Sequence, residues 1–149
     1  MQHPDQFELD DRLANDSWYL VDWRLCQLRL MNDQRYPWLL LIPRLQGCEE
    51  ISTLTDAQQQ QLWREVNDAS KCLQQHQRLL LGESAVSPAK VNIAALGNMV
   101  RQLHLHVVLR HPGDPAWPGP VWGHSAAQPY LQPEQQVAAW QQRLAAAVG

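Results

Sequence analysis

The sequence predicts an α+β fold: an antiparallel sheet of about five strands, one long helix between the third and fourth strands, and a C-terminal helix. Three observations predict it. Short alternating or continuous apolar runs recur at 18–22, 25–31, 38–42, 91–98 and 102–109, separated by polar or Gly/Pro-bearing turns, which is how strands are punctuated. The stretch from about Asp56 to about Gln77 instead repeats its apolar residues at helical spacing, and 133–148 does so again at the end of the chain. With 149 residues, 45% of them hydrophobic, the chain is long enough to bury a proper core. One domain spanning 1–149 is expected, with its core at 17–110 and a Pro/Trp-rich loop and helix at 111–149.

In chain order, Pro4 to Leu13 sets Phe7, Leu9 and Leu13 among acids and reads as a short helix or an arm. Trp18 to Asp22 and Leu25 to Met31 read as neighbouring antiparallel strands, the second with Gln27 and Arg29 interleaved among aliphatic residues. Asn32 to Arg35 is a polar turn. Trp38 to Ile42 is apolar throughout and ends at Pro43, as a central strand does where it leaves the sheet. Thr55 followed three residues later by Gln58 resembles a capping box, after which Leu62, Trp63, Val66, Ala69, Cys72 and Leu73 recur at helical spacing. His76, at the end of that helix, reads as exposed and without a role. Val91 to Asn98 reads as a strand closing on a Gly-Asn turn, a hairpin into the run Gln102 to Leu109. His111 to Gly123 holds four prolines, Trp117 and Trp122, which excludes a regular helix or central strand. That segment is either a stiff cover over the sheet or, through Trp117 or Trp122, an aromatic wall of a binding pocket. Pro133 sits early in the terminal amphipathic helix, where a missing N–H costs nothing.

Composition excludes several classes of function. A formal charge of −3 and a pI near 6.0 supply no basic field for polymeric nucleic acid. No apolar run approaches the ~20 residues of a membrane helix, and the first residues lack the parts of a signal peptide, so a cytoplasmic protein is expected. Cys26, Cys48 and Cys72 are odd in number and widely spaced, which indicates reduced buried thiols rather than a disulfide framework or a zinc knuckle.

The chemistry centres on Gln102-Leu103-His104-Leu105-His106-Val107. On an extended chain Gln102, His104 and His106 project to one side and Leu103, Leu105 and Val107 to the other. Such a polar row has three readings. It is the solvent face of a one-sided sheet, or part of a metal site that needs further ligands, with His111 and His124 the histidines at hand, or an activated imidazole for phosphate chemistry.

The third reading gains from a resemblance. Asn92, Gly97-Asn98 and Gln102-X-His104-X-His106, together with Met31-Asn32 and the block Tyr36-Pro37-Trp38-Leu39-Leu40-Leu41-Ile42-Pro43-Arg44, resemble the histidine triad (HIT) superfamily of nucleotide hydrolases and transferases. Its signature is His-φ-His-φ-His-φ-φ, with φ apolar, and here Gln102 replaces the first histidine. The resemblance covers about Leu20 to Arg110. It implies the HIT fold, commonly a homodimer, and a nucleotide substrate, with no cofactor and no obligatory metal. Residue by residue it implies that His104 is the nucleophile, that His106 contacts phosphate oxygens, and that Asn32 holds ribose hydroxyls beyond its role as a turn residue. Asn92 and Asn98 match polar positions near the phosphates. Met99 stands where several members have Ser or Thr. An amide at 102 can donate and accept hydrogen bonds but cannot carry a proton or a charge. Two functions follow: a nucleotidyl hydrolase or transferase acting on a dinucleoside polyphosphate or nucleoside phosphoramidate, or a nucleotide-binding or sensing module with little catalysis.

Overall fold

A computed structural model describes residues 6–86 and 88–147. The expected arm from Pro4 and the expected helix end at Val148 therefore begin and end outside the described residues. A short helix, α1 (Asp11–Asp16), leads into strands β1 (Ser17–Asp22), β2 (Cys26–Met31) and β3 (Trp38–Pro43). After a short 3-10 turn come α2 (Asp56–Gln75) and α3 (Gln77–Leu81), then β4 (Lys90–Ala94), β5 (Leu105–Arg110) and α4 (Pro133–Ala145). All neighbouring strands are antiparallel, in the order β1-β2-β3-β5-β4. No helix among the described residues is long and apolar enough to cross a membrane.

The sheet is covered on both faces, which makes β3 and β5 buried along their whole length. Leu39 and Leu41 of β3 join Leu105, Val107 and Leu109 in the core beneath α2, with Trp140 and Leu144 of α4. On the other face Leu40 and Ile42 meet Leu13 of α1, and Trp38 and Val108 meet Ala116 and Val121 from the loop after β5. The histidine row is thus not the wet half of a one-sided sheet.

The capping box at Thr55 is complete: Gln58 N–H donates to Thr55 Oγ1 at 3.1 Å and Thr55 N–H to Gln58 Oε1 at 2.9 Å. The helix stops earlier than its periodicity suggests. His76 leaves helical geometry (φ −104°, ψ 15°) and the chain restarts as α3. His76 is half-buried rather than exposed, its Nδ1 lying 2.8 Å from the Cys72 carbonyl. The two strands of the expected hairpin are also shorter than their apolar runs. Their ladder ends where Ala94 faces His106, and Leu41 of β3 reaches no further than Leu105. Gln102 to His104 then lie beyond any strand partner, Leu103 N–H turning instead to the Cys48 carbonyl at 2.9 Å. The chain leaves β4 at Ala95 and bends at Gly97, whose φ of 68° a side chain would resist.

One buried carboxylate ties helix to sheet. Glu65 of α2 is 2% exposed, and it accepts from Leu25 N–H at 3.0 Å, Cys26 N–H at 2.8 Å and Gln61 Nε2 at 2.8 Å. It takes up the amides at the start of β2, where Cys26 faces Pro43 of β3. Glu65→Ala leaves two buried N–H groups without an acceptor, at about 1–3 kcal/mol each. We expect the unfolding free energy in urea to fall by about 2–5 kcal/mol; a loss below about 1 kcal/mol would contradict this role.

Candidate active site

His104 stands just before β5 and His106 is its second residue. Alternation turns Leu103 and Leu105 into the α2 core and both histidines to the opposite face, where they are 6% and 5% exposed. Their rings lie edge to face with centroids 5.1 Å apart.

Each ring is held at Nδ1 by a group whose own chemistry is unambiguous. His104 Nδ1 is 2.7 Å from the Gln102 carbonyl. A carbonyl only accepts, so the neutral His104 ring carries its proton on Nδ1 and keeps a lone pair on Nε2. Trp38 Nε1–H donates to His106 Nδ1 at 2.9 Å. An indole N–H only donates, so the neutral His106 ring has a bare Nδ1 and its proton on Nε2. In their neutral forms the neighbouring rings therefore present opposite groups at Nε2, a lone pair on His104 and an N–H donor on His106.

His106 is also boxed by aromatic rings, Trp38 at 5.6 Å and Trp122 at 5.2 Å. Burial, with a smaller contribution from the adjacent His104, lowers its pKa to about 3, because an imidazolium there would lose its hydration. His106 is neutral at any ordinary pH.

The histidines open onto a cavity of about 470 Å³. Trp38, Trp122 and the segment 96–100 form its walls, Asp33 and Arg35 one side, and Arg12, Leu13 and Asp16 of α1 another. A larger hollow of about 740 Å³ lies beside Cys48, Glu49 and Arg101 but touches neither histidine, whereas both imidazoles line the 470 Å³ cavity. Asp33 and Arg35 form a buried fork, Nε to Oδ1 at 3.0 Å and Nη2 to Oδ2 at 2.9 Å, and Arg35 also bonds Ser125.

The loop after β5 is pinned by Arg110, which is 1% exposed. Its Nε and Nη2 bond the Asp114 carboxylate at 2.7 and 3.0 Å, Nη2 reaches the Gly119 carbonyl at 2.8 Å, and Nη1 donates to Asn92 Oδ1 at 2.9 Å. Burial alone would raise the Asp114 carboxyl, but Arg110 and the N–H groups of His111 and Trp117 hold it below its usual range. Trp117 lies over the Arg110 guanidinium, outside the cavity, and its bond to Pro118 is cis. Trp122 is the tryptophan of this loop that lines the cavity.

Of the residues singled out in the sequence, His104, His106, Asn98 and Met99 line this cavity and Gln102, Asn32 and Asn92 do not. The Gln102 side chain turns to the N-terminal arm, donating to the Glu8 carbonyl at 2.9 Å and accepting from Asp10 N–H at 2.8 Å. Asn32 Oδ1 accepts from Tyr130 N–H at 3.0 Å, and Asn92 holds Arg110. Sequence reasoning missed Trp38, Asp33, Arg35 and the α1 residues. Trp38 carried a usable signal, because a tryptophan on a fully buried strand needs an acceptor for its N–H. Among the described residues no three His, Cys, Asp or Glu side chains gather where they could hold a metal ion, and His111 and His124 bond locally to Gly113 and Ser125. The three cysteines are free and buried.

Comparison with known proteins agrees with this geometry. The HIT domain family matches residues 12–113. Among solved structures, a histidine triad protein from Sinorhizobium meliloti is 40% identical with a TM-score of 0.83, covering 98% of this chain and 100% of its own. One from Bradyrhizobium japonicum is 36% identical with a TM-score of 0.80, over 96% and 98% of the two chains. One from Marinobacter aquaeolei is 45% identical with a TM-score of 0.77, over 95% and 96%. No curated protein matches the chain. The sheet order, the paired imidazoles and these likenesses lead to one assignment: the chain belongs to the histidine triad family.

Proposed function

We propose that the protein is a nucleotidyl hydrolase or transferase, cleaving at the α-phosphate of a dinucleoside polyphosphate or a nucleoside phosphoramidate through a covalent nucleotidyl-histidine. The observation that carries this reading is the pair of opposed tautomers. A phosphodiester-like centre repels anionic nucleophiles, whereas a neutral imidazole approaches without that penalty and divides the reaction into two displacements. His104 Nε2 attacks phosphorus and forms a P–N bond. The bond to the leaving group breaks, and that group departs with the electron pair. Water, or an acceptor hydroxyl in the transferase case, then attacks phosphorus and expels His104. His106 Nε2–H is placed one ring away to donate to a phosphate oxygen or the leaving atom as charge develops. It does so as a neutral donor, since its pKa of about 3 keeps it from arriving as imidazolium.

Within this reading Asn98 and Met99 contact the nucleotide at the cavity wall, and Trp122 offers a face for stacking. Asn32 and Asn92 act from behind the wall. Asn32 holds the Tyr130 segment with its oxygen and offers its amide N–H groups, which have no partner among the described residues, to a ribose, while Asn92 fixes Arg110 and so the loop that carries Trp122. Gln102 contributes its main-chain carbonyl to the tautomer of His104, which no side-chain substitution removes. Because its side chain has no titratable proton to transfer, a binding module with little turnover is the competing outcome.

Single-turnover reaction with a dinucleoside polyphosphate, followed by denaturation and intact-mass analysis, separates the two. Wild type should carry one nucleotidyl group, and His104→Ala should carry none while its affinity for the mononucleotide stays within about tenfold. Absence of adduct and of product in wild type would leave the binding module. A second expectation concerns acid. The His106 pKa is lowered on folding, so the unfolded chain binds the extra proton first, between the ordinary value near 6.5 and about 3. This group costs nothing above that window and lowers stability progressively as pH falls through it. The unfolding free energy of wild type should therefore drop more steeply between pH 6.5 and 4 than that of His106→Asn; parallel curves would contradict the buried neutral ring.

A further inference from the structure

α1 has an inner and an outer side. Leu13 packs into the sheet against Leu40 and Ile42, while Arg12 and Asp16, one turn apart, face the cavity that holds His104 and His106. Two independent anchors fix the helix there. Before it, the Gln102 amide grips the arm: Nε2–H donates to the Glu8 carbonyl at 2.9 Å, and Oε1 accepts from Asp10 N–H at 2.8 Å. These two bonds flank Leu9 as the N–H and C=O of one residue on a parallel strand would, so the side chain imitates a piece of backbone. Behind it, Arg29 of β2 is 8% exposed and has no carboxylate partner among the described residues. Its guanidinium instead donates to Ser17 Oγ at 2.7 Å and to the carbonyls of Ser17 at 2.9 Å and Ala14 at 3.4 Å. A buried cation requires such partners, and the end of α1 supplies them.

The two arginines of the cavity differ in what they have left to give. Arg35 is committed to Asp33 and Ser125. The Arg12 guanidinium is exposed, and among the described residues no hydrogen bond or ion pair engages it; Asp16 shares the cavity without pairing to it. A site for phosphate chemistry needs a positive partner for the substrate's anionic oxygens, and among the described residues lining this cavity Arg12 is the cation without a partner.

We propose that Arg12 is a phosphate-binding residue of this site, and that Gln102 is its positioning residue, tying the arm to the sheet so that α1 delivers the guanidinium. The proposal rests on the nucleotidyl-transfer reading and deepens it. Position 102 contributes no charge of its own, and the charge enters from α1. Exchanging an imidazole for an amide at 102 thus converts that position from a member of the reacting row into a clasp.

The test is titration calorimetry of the full chain with AMP and with adenosine, on wild type, Arg12→Ala, Arg12→Lys, Gln102→Ala and the Arg12→Ala/Gln102→Ala double variant. Gln102→Glu is the second clasp variant, since it keeps the acceptor and sets a carboxylate against the Glu8 carbonyl. Arg12→Ala should weaken AMP about tenfold, leave adenosine unchanged, and be largely rescued by Arg12→Lys. Both clasp variants should show the same phosphate-selective loss with faster amide exchange over residues 8–16, and the double variant should lose no more than Arg12→Ala alone. Equal losses for AMP and adenosine, or additive losses in the double variant, would overturn the proposal, as would wild type binding AMP no better than adenosine. A wild type that forms the nucleotidyl adduct while Arg12→Ala binds AMP normally sinks Arg12 and spares the transfer reading. Phosphate-selective loss at Arg12 without any adduct does the reverse.

Discussion

The site depends on two hydrogen bonds that cannot be reversed. A carbonyl has no proton to give and an indole nitrogen has no lone pair to offer, so the Gln102 carbonyl and the Trp38 N–H impose opposite tautomers on two imidazoles 5.1 Å apart. Histidine is otherwise ambiguous, since either ring nitrogen can bear the proton. Once each Nδ1 is spoken for, the neutral rings keep a lone pair at His104 Nε2 and an N–H at His106 Nε2. The desolvation that holds His106 uncharged strengthens the arrangement, because a protonated His106 would give up its bond to Trp38.

Keeping such a pair dry takes cover on the face of the sheet away from α2, and buried cations organise that cover. Arg110 gathers Asn92, Asp114 and Gly119 and so fixes the loop that brings Trp122 over His106. Arg29 gathers the carbonyls of Ala14 in α1 and of Ser17, which follows it. Neither is an exposed surface pair of little energetic weight; removing either strands backbone or carboxylate groups in the interior. The same face therefore holds the chemistry and the polar fixtures that exclude water from it, while the α2 face is a hydrocarbon core interrupted mainly by Glu65.

What the sequence revealed and what it hid divide along sequence separation. The capping box at Thr55 and Gln58, the buried stripe of α2, the apolar run of β3 and the alternation that opposes His104 to Leu105 are local patterns, and each is found where its period predicts. The Gln102 carbonyl lies two residues from His104 and could also have been inferred. Trp38 meets His106 across 68 residues, and Gln102 meets Glu8 and Asp10 across 94 and 92. Those contacts depend on strand register and on which segment covers the face, neither of which leaves a periodic trace. Residue type misled at Gln102, where an amide in a row of histidines reads as a weakened member of the row; its partners are backbone groups of an arm that the pattern of apolar residues alone does not place. Asn32 and Asn92 stand outside the cavity lining, bonded to Tyr130 N–H and Arg110, a placement that a polar residue near a phosphate signature does not reveal.

The most direct measurement is the protonation of the two rings, read by long-range 15N–1H NMR on protein labelled at histidine, in the absence of ligand near neutral pH. The neutral form of the His104 ring should bear its proton on Nδ1 with a bare Nε2, and the His106 ring should bear its proton on Nε2 with a bare Nδ1. The same tautomer in both rings, or a neutral His104 protonated on Nε2, would contradict the assignment of nucleophile and donor.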